Sequence, residues 1–142
     1  MRRVVREVGF AFLAWLVPFA VSVCIFPLKS SHPPLFDSLM GVALAGSTVV
    51  LCFVYLRRTR DGFVYRAARV GVLWMAANWL LDGLMFCAGP MQMSLVQYAA
   101  DIGTAYLMVP VITTGLGVAA RAAARARAGD ATGARNRGAP GV

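Results

Sequence analysis

Two carboxylic acids, Asp82 and Asp101, lie inside long apolar runs that contain no basic residue. An ionisable side chain in such surroundings is a functional candidate by default, because taking it out of water is costly. Asn78 and Asp82 are four residues apart and share a face if the segment is helical. Ser94, Gln97, Tyr98, Asp101 and Ala105 fall at i, i+3, i+4, i+7 and i+11, one helical stripe whose first half is polar. The spacing predicts one interior cluster of Asn78, Asp82, Gln97, Tyr98 and Asp101. Three chemistries fit it. Two close carboxyls in low dielectric do not readily both ionise, so the pair suits proton sharing and proton or cation transport. Hydrogen bonds from Asn78, Gln97 or Tyr98 would instead make the cluster a joint between two helices, at roughly 0.6 kcal/mol per bond. Recognition of a ligand or partner is the third.

The elements that must carry this cluster are apolar segments at 8–28, 38–56, 70–88 and 95–119, each long enough to cross about 30 Å of hydrocarbon as a helix. Composition agrees. Of 142 residues, 59% are hydrophobic and 14% charged, where a soluble domain carries roughly a quarter charged. The fold class that follows is an all-α membrane protein, a four-transmembrane-helix antiparallel bundle. The acids then fall about six residues from the outer ends of the third and fourth spans, roughly 9 Å below the edge. The short connection at 89–94 makes those two helices neighbours. The third span carries seven Leu, Phe or Val residues, which supply about −3 kcal/mol of insertion free energy. A central Asp costs about 2.5–3.5 kcal/mol on the same scale, so Asp82 requires compensation in the folded state.

Charge sets the orientation. The net charge is +8, and every Lys and Arg except Lys29 lies in one of three clusters: 2–6, 57–69 and 121–137. The bias places those clusters, and both termini, in the cytoplasm, and argues against dual topology. No aromatic is interleaved with the tail arginines, so no nucleic acid is expected as a partner. The arginines at 57–69 suit anionic lipid headgroups, at about 1 kcal/mol each, or serve only as a topology signal. The first run is longer than the apolar core of a cleaved leader, and Val23 before Cys24 is bulky for a lipoprotein site, so it is read as a span.

Local signals refine the elements. Pro33-Pro34 predicts an extended outer loop at 29–37, and Asp61-Gly62 a turn in the inner one. Pro18 and Pro110 are expected to bend the first and fourth spans. Gly41, Ala43, Ala45, Gly46 and Ser47 give the second span a small-residue side suited to close helix packing, or to a homodimer. After Ala119 the chain turns to Ala, Arg and Gly. The helix is expected to stop at Gly129, leaving a basic tail within 120–142 that is largely disordered.

The cysteines Cys24, Cys52 and Cys87 show no metal-site spacing and read as small apolar residues, with a Cys24–Cys87 bridge the alternative. The only histidine, His32, lies in a loop, so there is no haem ligand in a span. No cofactor, metal or catalytic residue is expected.

The stretch 69–117 resembles a group of small bacterial four-span membrane proteins. It carries Trp74, Asn78 and Asp82, then Gly-Pro-Met-x-Met-Ser, then Tyr98-x-x-Asp101-Ile102-Gly103-x-x-Tyr106-Leu107-x-x-Pro110. The resemblance implies a fold type and nothing catalytic. Small multidrug transporters, with a glutamate in their first span, match less well, as do intramembrane aspartyl proteases, whose second acid lies in Gly-x-Gly-Asp where Asp101 here follows Tyr98-Ala99-Ala100. The richness in Ala, Arg and Gly fits a GC-rich bacterial genome and hence an inner-membrane location. The functional expectation is a non-enzymatic subunit or accessory of a membrane complex. The alternative is a small proton-coupled or cation transporter using Asp82 and Asp101.

Overall fold

The computed structural model describes residues 2–59, 61–88, 95–98 and 102–137. It is all-helical over those residues, with no strand among them. The elements are α1 (Arg2–Cys24), α2 (Leu28–Ser31), α3 (Pro33–Leu56), α4 (Phe63–Ala88), α5 (Leu95–Tyr98), a 3₁₀ turn (Ala105–Leu107) and α6 (Met108–Arg137). Among the described residues three stretches are long and apolar enough to cross a membrane: Val5–Cys24, Pro33–Leu56 and Ala105–Gly129. The segment 70–88 lies within α4, a helix of 26 residues.

The four long helices form a ring. α4 packs on α6 and on α1, and α3 packs on α1 and on α6, whereas α3 and α4 scarcely touch. The link at 57–62 therefore crosses the diagonal, turning at Gly62, whose φ of 64° suits glycine. α1 and α4 run side by side, and their contacts climb both helices together: Glu7 with Arg69, Phe10 with Trp74, Trp15 with Asp82. Trp74 is wholly buried at the centre, stacked on Phe10 at 6.2 Å between centroids, and packed with Val70, Leu44, Tyr106 and Val109. Outward positions are apolar as well, among them Val42, Val50, Phe53, Leu80 and Val111.

Several boundaries differ from expectation, each for a local reason. Pro33 and Pro34 open α3 rather than forming an extended loop, since a helix's first turn needs no N–H from them. His32, at φ −144° and ψ 70°, breaks α2 from α3. Over its described residues the fourth apolar run is not one α-helix, because a 3₁₀ turn at Ala105–Leu107 precedes α6. Pro110 sits in the first turn of α6, where its missing donor matters little, and not in mid-span. At the far end α6 continues past Gly129 to Arg137, as suits a sequence rich in the strong helix formers Ala and Arg.

Within the single chain, close helix packing does not use the glycines of the small-residue side of α3. A Cβ on Gly41 or Gly46 would meet nothing within 4 Å. The tight seam is between α4 and α6. A Cβ on Gly71 would collide with Thr113 Oγ1 and come within 2.8 Å of the Pro110 backbone, and one on Gly117 would come within 2.7 Å of Ala67 Cβ. Glycine in mid-helix is entropically unfavourable by about 0.5–1 kcal/mol. Here it lets two helices approach backbone to backbone.

Candidate functional site

Asp82 is held by three donors from three parts of the chain. The Trp15 indole Nε1–H donates to Oδ1 at 2.7 Å. The hydroxyls of Tyr106 and Tyr98 donate to Oδ2 at 2.5 and 3.3 Å. The carboxyl thus joins α1, α4, α5 and the 3₁₀ turn. At about 1 kcal/mol net for a typical bond, and more where the acceptor is charged, these three bonds hold the separate parts of the chain to one carboxyl.

Of the five residues expected to cluster, Tyr98 meets Asp82. Asn78 does not. It is buried, its amide turns back to the Trp74 carbonyl at 2.7 Å, and its Oδ1 has no hydrogen-bond partner among the described residues. A residue four positions along shares a face, but a bond up its own helix was nearer to hand. Asp101 and the Gln97 side chain lie outside the described residues, and so does the expected Asp82–Asp101 pairing. The Cys87 side chain lies outside them too; Cys24 is a free, exposed thiol and Cys52 a buried one.

Trp15 and Tyr106 were missed as site residues. Tyr106 stands eight positions after Tyr98, close to two helical turns and so near the same face, which is the signal that points to it. Trp15 left a fainter signal. An indole N–H is a donor only, and one in an apolar helix gains from an acceptor on a neighbouring helix.

The local irregularity before α6 has its own partner. The Leu107 N–H bonds three residues back to Thr104 O at 3.1 Å. The Gly103 carbonyl in turn accepts the Trp79 indole N–H at 3.1 Å. The segment bearing Tyr106 is thereby fastened to α4 twice, by Trp79 to Gly103 and by Tyr106 to Asp82.

Asp82 also lines a cavity of about 600 Å³. Its walls come from the later turns of α1 (Trp15, Pro18, Phe19, Ser22), from Phe26 and Lys29, and from α3 (Phe36, Asp37, Met40, Gly41, Leu44). Met85, Ile102, Ala105 and Tyr106 close the remaining side. The lining is mostly aromatic and aliphatic, with charge at two places: Asp82, and the Lys29–Asp37 neighbourhood. Lys29 Nζ stands over the Phe36 ring, 6.0 Å from its centre. This is the general form of a small-molecule site, an apolar hollow with a few convergent polar groups. Among the described residues no three His, Cys, Asp or Glu side chains gather as a metal site would require.

The opposite end of the bundle is tied shut. Glu7 takes the Arg69 guanidinium at 3.1 Å and faces the Tyr55 hydroxyl at 3.5 Å, so α1, α3 and α4 meet there. Arg6 lies over the Tyr55 ring, 5.6 Å from its centre, and Arg66 pairs with Asp61 at 2.8 Å.

Compared with family models, curated proteins and solved structures, the chain matches none of them.

Proposed function

We propose that the chain is a four-span inner-membrane protein of bacterial type with both termini in the cytoplasm. In this reading it is non-enzymatic, and it holds a small amphiphile in the Asp82 cavity as a subunit or accessory of a membrane complex. The observation that carries the reading is that Asp82 is both fixed by three donors and part of the cavity wall. A carboxyl used only as a helix joint has no need of a hollow beside it. The length of α4, the apolar outward faces and the charge asymmetry support four spans. The kinship with small four-span bacterial proteins belongs to the same proposal.

Tryptophan emission tests it, because Trp15 lines the cavity. The full chain in phosphatidylcholine nanodiscs is titrated with a brominated alkyl amphiphile, whose bromine quenches nearby indoles. Saturable quenching that weakens or disappears in Gly41→Leu is the expected result, since Gly41 lines the cavity and the added side chain has open space to enter. Quenching that rises linearly with bilayer content, equally in both proteins, is partition alone and rejects the reading.

A second reading, a small proton-coupled or cation carrier, draws on the same carboxyl. It requires pH-dependent uptake into proteoliposomes that is lost in Asp82→Asn or Asp101→Asn. Unchanged flux in both variants removes it.

A further inference from the structure

The hydrogen bonds around Asp82 leave something over. An ionised carboxyl offers about four lone-pair sites. Trp15 takes one on Oδ1, and Tyr98 and Tyr106 take two on Oδ2, so one site on Oδ1 remains. All three partners are neutral groups. Among the described residues the salt bridges are Arg66–Asp61 and Arg69–Glu7, and neither involves Asp82. The carboxyl therefore has donors but no counter-charge from those residues.

The cavity it faces suits a cation. Its charged lining residues are Asp82, Asp37 and Lys29, two acids against one base. Its lining also includes the rings of Phe19, Phe26, Phe36, Trp15 and Tyr106, and aromatic rings attract cations. A volume of about 600 Å³ holds a body larger than a metal ion or a simple amine.

We propose that the ligand of this cavity is a lipophilic ammonium, an amine with an apolar body, whose N–H donates to Oδ1 of Asp82. This rests on the cavity-binding reading above and adds the charge of the ligand. The ammonium supplies the counter-ion that the protein's own neutral donors do not. The apolar body lies along the aromatic wall toward Phe26 and Phe36.

The quenching experiment decides it with two probes, a brominated alkyl ammonium and the corresponding brominated alcohol. Both are titrated into the full chain in phosphatidylcholine nanodiscs, with affinity expressed per mole fraction in the bilayer. The ammonium is expected to bind about tenfold or more tightly than the alcohol, as suits a charge-assisted hydrogen bond in place of a neutral one. In Asp82→Asn the preference falls to about one, and in Gly41→Leu both probes lose saturable binding. Should Asp82→Asn not fold, the ratio in the unaltered chain and the loss in Gly41→Leu decide alone. Equal affinities that vanish together in Gly41→Leu keep the cavity as a site and overturn the ammonium. If neither probe saturates, both proposals fall.

Discussion

The two ends of this helical ring are built on opposite plans. At the end where α1 begins and α3 finishes, ion pairs and glycines draw the helices together: Glu7 to Arg69, and Gly117 against Ala67. At the other end large aromatics stand around a hollow, and one carboxyl gathers donors from across it. The difference lies in what touches. Backbone meets backbone along α4 and α6, which leaves no room for a ligand. Around Asp82 the helices meet through the tips of long side chains, which hold them apart at a fixed spacing. Rigidity and space thus coexist, because the polar contacts that fix the aromatics also prop the cavity.

The largest effect should come from forcing the closed end open. Gly71→Leu drives a side chain into the Pro110 backbone and Thr113, and neither is the far end of a flexible chain. Overpacking of this kind costs about 1–3 kcal/mol or more, so the variant is expected to lose its cooperative thermal unfolding in detergent. A stable Gly71→Leu protein would mean that the seam is not closed. Next comes the carboxyl. Asp82→Ala leaves an indole N–H and two hydroxyls without their acceptor and should destabilise by about 1–3 kcal/mol, whereas Tyr106→Phe removes one donor and costs about 1 kcal/mol. Unfolding midpoints of the two variants measure that ratio, and equal losses would show that Tyr106 alone matters. The smallest effect belongs to Glu7→Gln. The Arg69 side chain is 61% exposed, so the change should cost under about 1 kcal/mol and fade with added salt. A large, salt-independent loss would make that end a buried ionic lock instead.

The sequence disclosed this division unevenly. Long apolar runs announce helices, and Asp82 announces a need for partners. Tyr98 was legible as a partner because it shares a stripe with the polar positions around it. Trp15 was not, because periodicity shows which face a residue occupies and not which helix comes to meet it. The stripe of Gly41 and Gly46 illustrates the same limit. Small residues permit close approach, but only the partner's shape decides whether it occurs, and here Gly71 and Gly117 are the ones used. The 3₁₀ turn before Pro110 left no mark because hydropathy along the run 95–119 is blind to a change of helical pitch.

The order of the donors along the chain bears on biosynthesis. Trp15 is made first, Asp82 sixty-seven residues later, and Tyr98 and Tyr106 last. If the proposed four spans insert in chain order, α4 brings its carboxyl when, of the three donors, only the indole on α1 is there to meet it. The first helix would then serve the third long helix as an escort. The two tyrosines complete what the indole began, so the last part of the chain joins a carboxyl already held from α1.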